Sequence, residues 1–431
     1  MPQTPPPPPY NQITGISRAD MKYNEQESLT DYNGNARPGE LVVNLVASPP
    51  TLWVGNNLGQ LTQIGAGGGG TTWKTLGDKT TGVNAPTEIA LGSGAATVTV
   101  QGYGAIAFGI DAGTNTQRDF TVAIGTNAGS NTQGISSIAV GRSAGQNNQG
   151  ANAIALGTNA GSTTQGAGAV AIGQNAGQTG QRTAAVAIGR GAGLTNQQNE
   201  AVAIGPDAGA NTQGFGSVAI GVFAGQETQQ DAAVAVGYGA GTTNQGTESV
   251  AIGFNAGASN NSGIAIGSGA GGTNNQGVSI GYLSGSGGLN SIIIGTTAGT
   301  ATSAGAIAIG ALAAQVSQGN VSIAIGGQAV QNGPQGLNSI AIGKQVAYNG
   351  QGNSSIAIGP NAGGNAAVPN NSIVIDASGA NIPSAGANTT TIFPIRQVTS
   401  TNVWANPANT LPTGFFFTAY NPTTGELIYW S

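Results

Sequence analysis

Any catalytic chemistry in this chain would have to come from carboxylates, because its 431 residues include no Cys and no His. That excludes thiol and imidazole catalysis, disulfides, and zinc or copper sites built on sulfur or nitrogen side chains. Glycoside cleavage needs two carboxyl groups about 5 to 9.5 Å apart, and the middle of the chain offers Asp111, Asp119, Glu200, Asp207, Glu227, Asp231 and Glu248. Their spacing argues against a pair. Within the repeat described below none has a partner at the same coil position on an adjacent coil, and Asp111 and Asp207, which share a position, are six coils apart. Regular Thr-x-Thr rows suited to ice and Gly-Gly-x-Gly-x-Asp calcium repeats are also absent. The expectation is a non-enzymatic chain with no cofactor and no metal site.

The 11 Lys and Arg against 16 Asp and Glu give a net charge of −5 and no basic face, so no nucleic-acid partner is expected. No continuously apolar stretch of about 18 residues predicts a membrane span. The Pro-rich start, Met1 to Tyr10, lacks the basic-then-apolar pattern of a signal peptide, so no secretory route is expected. Glycine supplies 75 residues, yet 39% of the chain is apolar, which points to repetition rather than disorder.

A short apolar run ending in glycine recurs at positions 92, 109, 125, 141, 157, 173, 189, 205, 221, 237, 253, 267, 281, 295, 310, 326, 343 and 359, with Asp376 in the same place after Ile373-Val374-Ile375. The spacing is 17, then 16 nine times, 14 three times, then 15, 16, 17, 16 and 17. Units this short predict an all-β fold, a parallel β-roll or β-solenoid of about 18 coils with 14–17 residues each. At 4.7 to 4.8 Å per stacked strand the rod would be about 85 Å long. The fall to 14 residues after Gly253 predicts a rod that narrows or twists differently there.

Three residues before every anchor stands Val or Ile, and one before stands Ile, Val, Leu or Phe. The residue between is Ala, except for Ser279, Ile293 and Val374. In a strand these alternate between faces. A thin coil has room inside for one face only, which predicts alanine inside, joined by Ala128, Ala144 and Ala160 from the turns. The Val/Ile ladder then needs a cover, and an identical ladder on a symmetry-related chain supplies one: a homotrimer, or otherwise a dimer. A single-chain solenoid with Val/Ile inside and Ala outside is the alternative. Gln117, 133, 149, 165, 181, 197, 213, 229 and 245 all fall eight residues after an anchor. That column predicts stacked amide hydrogen bonds or else a flat polar binding face.

The division expected along the chain is a Pro-rich arm and docking segment over 1–36, a small β module over 37–66, a Gly-rich joint over 67–88, the rod over 89–376 and an aromatic-rich β cap over 377–431. Residues 11–36 could form a short helix or a docking strap. Arg142, Arg190, Tyr238, Phe254, Tyr282 and Lys344 follow their anchors where other coils carry Thr, Gln or Ser, which makes them candidate surface contacts.

The motif Ser/Ala-Val/Ile-Ala-Ile-Gly followed by Ala-Gly resembles the head repeats of the YadA-like trimeric autotransporter adhesins. The resemblance covers about two thirds of the chain and implies three chains around one axis, though no export signal, heptad stalk or membrane barrel accompanies it here. Pro38-Gly39-Glu40-Leu41 to Asn44 with Leu52-Trp53-Val54-Gly55 is similar to modules of phage tail-fibre proteins. Ile392-Phe393-Pro394-Ile395-Arg396 with Tyr420-Asn421-Pro422 to Tyr429 resembles the segment that precedes an endosialidase-type intramolecular chaperone in phage and large-virus fibres. That resemblance implies a processed C-terminus at Ser431. Together these resemblances imply a virion-surface fibre, docked by its N-terminus to a baseplate or capsid protein and contacting a host cell-surface glycan or protein. A cellular adhesin or extracellular filament subunit is the alternative.

Overall fold

The computed structural model describes residues 89–96 and 100–393, except 301 and 365, together with the strand segments Lys22–Asn24, Leu41–Asn44, Thr51–Gly55, Leu61–Ile64, Thr418–Asn421 and Glu426–Tyr429. The proline run, the Gly67 to Gly70 joint and Ser431 lie outside the described residues. Among the described residues there is no helix. Leu41–Asn44 and Thr51–Gly55 pair antiparallel, as do Thr51–Gly55 and Leu61–Ile64. Lys22–Asn24, within the segment expected to form a short helix or a docking strap, is a strand parallel to Leu41–Asn44.

The repeat folds as a parallel β-solenoid. Ile89–Leu91 pairs with Ile106–Phe108, and the pairing continues in register, one strand per coil, to Ile373–Asp376. The nineteen rungs stack Val or Ile on Val or Ile, and Ala on Ala except where Ser279, Ile293 and Val374 take the alanine place. The sheet gains another rung at Thr390–Phe393, parallel to Ile373–Asp376, and Thr391 meets Glu426 of an antiparallel hairpin formed by Thr418–Asn421 and Glu426–Tyr429. At the change to 14-residue coils the register does not break, because Val250 still faces Ile264 and Ala251 still faces Ala265.

Alanine is inside. Ala123, Ala139, Ala155 and their equivalents are fully buried, as are Ala128, Ala144 and Ala160 from the turns. The alternative with Val/Ile inside is therefore overturned. A third small column, one residue before the Val/Ile position, completes the wall. Where it carries Ser, as at Ser137, Ser217 and Ser249, the hydroxyl donates to the carbonyl three residues back, at 2.6–2.8 Å.

The glutamine column closes the interior from the opposite side. Gln133, Gln165, Gln197 and Gln229 are buried, so this column is not a binding face. Each Nε2 donates across its own coil to the carbonyl of the first strand residue, for example Gln197 to Val186 O at 2.7 Å. From Gln149 to Gln245 it also donates to the Oε1 of the next glutamine along the rod, at 3.1–3.3 Å. A net intramolecular hydrogen bond is worth about 1 kcal/mol, but a buried amide left without partners costs about 1–3 kcal/mol, so the column acts as a spacer that must be filled correctly. In the 14-residue coils Asn261 and Asn275 take the same place and reach Val250 O and Ile264 O at 3.1 and 3.0 Å. The shorter side chain matches the shorter coil.

Most coils place glycine at two constrained positions, though the second is Ala96, Ala314, Val330 or Ala347 in four of them. The anchor Gly205 has φ of +124°, and a Cβ there would lie 2.8 Å from the Gly221 carbonyl of the next coil. Gly209, in the turn, would place a Cβ 2.7 Å from Gln213 Oε1 and so leaves the room that the glutamine fills.

Candidate functional surface

All six residues singled out in the sequence follow an anchor directly, so in-register stacking sets Arg142, Arg190, Tyr238, Phe254, Tyr282 and Lys344 on one line along the rod. The basic members of the line are separated by several coils. Arg190 Nη2 donates to Asp207 Oδ2 of the next coil at 2.7 Å. With the arginine side chain 61% exposed, that pair is worth at most about 1 kcal/mol. Arg142 and Lys344 are exposed and form no ion pair among the described residues.

The aromatic members do come together. Tyr238 and Phe254, on successive coils, stack with centroids 5.4 Å apart and planes 14° from parallel. Phe223 of the preceding coil stands edge-on to Tyr238 at 5.8 Å and 86°. Tyr282 lies two coils beyond Phe254, with Ser268 between them in the line. Tyr238, Phe254 and Tyr282 are 49%, 55% and 57% exposed, so the coil gains little from them by burial.

Phe223 escaped the sequence reading because it sits one residue past the line. Its corner is left-handed: Asn127, Asn159, Asn175 and Asn255 occupy it at φ of 50–58°, and Phe223 adopts φ of 58°. Asparagine tolerates that conformation, whereas a phenylalanine there costs roughly 1–2 kcal/mol. An aromatic at a position filled mostly by Asn, Asp and Gly, and elsewhere by Ser143, Leu283, Thr297, Leu312, Gln328 and Gln345, was the signal available in the sequence. A second edge-on pair, Tyr103 with Phe120 at 5.6 Å and 82°, lies at another corner, where Phe120 is also left-handed.

The carboxylates are spread over the corners. Asp119 and Asp231 each accept a backbone N–H from the coil before, those of Tyr103 and Phe215, at 2.8 Å. Asn353 does the same for Leu337 at 2.8 Å, so this is a corner brace that Asn also provides. Asp111 and Asp207 share one left-handed corner, and Glu200 and Glu248 share another. Asp376, in the anchor position of the last repeat, is buried and accepts from both the Ser378 N–H and its hydroxyl, at 2.8 and 2.5 Å. Among the described residues no three acidic side chains gather into a metal site. An open depression of about 430 Å³, lined by Pro334, Gln351, Val368 and Pro369 among others, marks where valine replaces glutamine in the column, and it holds no titratable side chain.

The largest surface feature is the outer side of the rungs. Ile124, Ile138, Leu156, Ile220, Ile252, Ile294, Ile342 and Ile358 are each 36% or more exposed in the single chain. On the other rungs the outward pair is half-buried, so the stripe runs unbroken along all nineteen rungs as an apolar surface larger than the few hundred Å² usual on a monomer. Comparison with known proteins finds no matching family model, no similar curated protein and no matching solved structure.

Proposed function

We propose that the chain is the subunit of a non-enzymatic, homotrimeric fibre on a virus particle, a stiff spacer that carries weak adhesive contacts to a host surface. The observation that supports it is the continuous Val/Ile/Leu stripe outside a core made of little more than methyl groups and amides. Such a core buries few methylenes per residue, at about 0.8 kcal/mol each, so covering the stripe with two identical stripes is the step that makes the rod stable. Cyclic symmetry brings the three ladders to one axis, rung facing rung. The resemblance of the repeat to trimeric adhesin heads, and of the flanks to fibre modules, supports the same assembly and its place on a virion. In this reading the N-terminal segment docks to a baseplate or capsid protein and the rod stands out from the particle. Several weak contacts on one stiff trimer then bind with an avidity about 10² to 10⁴ above the single site.

Light scattering on the purified chain at several dilutions tests the assembly, with the expected result three times the chain mass of 42.0 kDa. A persistent monomer overturns it. Antibodies against the rod test the location: they should decorate virus particles, and labelling confined to a cell surface or matrix would favour a cellular adhesin.

A further inference from the structure

We infer that the outer stripe is flanked by contacts between unlike corners: the corner that follows each rung in one subunit meets, in a second copy of the chain, the corner that precedes the same rung and the next one. This deepens the trimer reading and rests on it.

Symmetry decides which corners can meet. The rungs run across the rod and the rotation axis runs along it, so every strand points the same way round the axis. The end of one subunit's strand then approaches the beginning of its neighbour's, a heterologous contact repeated until the ring closes. The first corner holds the residues one and two places after each anchor, and the second those five to seven places before it. Within one chain the three strand residues and those beside them, at about 3.3 Å each, hold the two corners more than about 10 Å apart, and in-register stacking keeps that separation between neighbouring rungs. Among the described residues no ion pair or ring contact joins one corner to the other.

The two corners nevertheless match in kind along the rod. Large apolar side chains stand on both at four places: Ile110 with Tyr103 and Phe120, Phe223 with Phe215, Leu283 with Leu289, and Leu312 with Val321. In each case the partner precedes the same rung or the next. Leu289 and Val321 are 58% and 63% exposed in the single chain, surface that the fold itself leaves uncovered. Ile135 and Leu337, which lack an apolar counterpart, share their rungs with Arg142 and Lys344, whose aliphatic stems can lie over them. From the rung Ile154–Leu156 to the rung Val202–Ile204 neither corner carries a large apolar residue. Tyr238 and Phe254, stacked on each other, are the exception.

Charges select the stagger. Asp111 is matched by Arg118, and Arg190 by Glu200, opposite signs in both cases and both one rung on. Asp119, next to Arg118, is turned back to the Tyr103 N–H. A strictly level contact would set Arg190 beside Arg182 and Asp207 beside Glu200, so the corner after each rung sits between the two corners opposite it, toward the later one. A match between surfaces that do not meet within the chain has its cause between chains.

The chain has no cysteine, so thiols can be placed singly or in pairs. The full chain carrying Arg190→Cys and Glu200→Cys is weighed by light scattering, treated with a short bismaleimide and separated under denaturing conditions. The expected result is a three-chain mass before linking and a covalent three-chain species after it, with the same from Ile110→Cys/Phe120→Cys nearer the beginning of the rod. Each single-cysteine variant should remain one chain after denaturation, because like corners do not meet. So should Arg190→Cys/Ala167→Cys, which moves the second thiol back by two rungs. A three-chain mass without covalent trimers from either pair overturns the corner contact and leaves the trimer standing. Covalent dimers from the single-cysteine variants do the same, since they would join like corners. A monomeric mass overturns both.

Discussion

Ile293 and Thr302 exchange volume between two places in one coil. Ile293 stands in the alanine column, between Ser279 and Ala308, and Thr302 stands in the glutamine column opposite Gln318. Both side chains reach the space over Gly299, where an added Cβ would lie 3.0 Å from Ile293 Cδ1 and 2.7 Å from Thr302 Cγ2. The larger residue on the strand fills what the shorter residue across the coil vacates.

Ile293→Ala should therefore cost about 2–5 kcal/mol, as cavity-forming core substitutions do. Adding Thr302→Gln rebuilds the pair used by the other coils and should restore part of the loss, with a coupling of about 0.5–3 kcal/mol. Denaturant titration of the two single variants and the double variant measures it. Strictly additive effects would show that the two residues do not share the space.

Gln197 sits in the middle of the amide ladder, accepting from Gln181 at 3.2 Å and donating to Gln213 at 3.1 Å. Gln197→Leu keeps much of the volume but removes the donor to Gln213 Oε1 and to the Val186 carbonyl, while Gln181 keeps Val170 O and Ala185 O, and should cost about 1–3 kcal/mol for each group left unpaired. Gln174, on the exposed outer edge, is the control: Gln174→Ala should stay within about 0.5 kcal/mol. Equal melting temperatures for the two variants would count against a structural ladder.

Gly205 and Gly168 both have positive φ, but only Gly205 abuts the next coil. Gly168→Ala meets nothing within 4 Å and should lose only the backbone preference, about 1 kcal/mol. Gly205→Ala must also push the Gly221 carbonyl away, and should cost more than about 2 kcal/mol. Hydrogen exchange at the flanking rungs should report the difference, with protection lost around 205–221 only in the second variant.

Ile220 and Ile252 lie on the outer stripe, two rungs apart, and are 37% and 38% exposed. In an isolated rod, Ile220→Lys with Ile252→Lys would be tolerated as a surface change. In a trimer the lysines face one another across the axis, so the three-chain mass should fall to that of the monomer, and solubility at low protein concentration should rise. Mass by light scattering before and after substitution decides it.

The repetition itself made much of this fold legible. When the same three-residue pattern recurs every 14–17 residues, each strand's neighbour is its own copy, so register follows from spacing alone. The alternation of Ala with Val, Ile and Leu then selects the inner face, because on most rungs a coil this thin has room for little more than a methyl group there. The glutamine column was visible as a column, but its direction was not. Side chains at a corner point according to the φ of the residues around them, and the left-handed turns after the anchors rotate Gln133 and its equivalents inward. The same holds for the aromatic row. Tyr238 and Phe254 share a repeat position and could be aligned by counting, whereas Phe223 reaches Tyr238 only because a positive φ at its own residue tilts the ring across the boundary between coils. Spacing along the chain determines which residues stack. The backbone torsions at the corners decide which way they face.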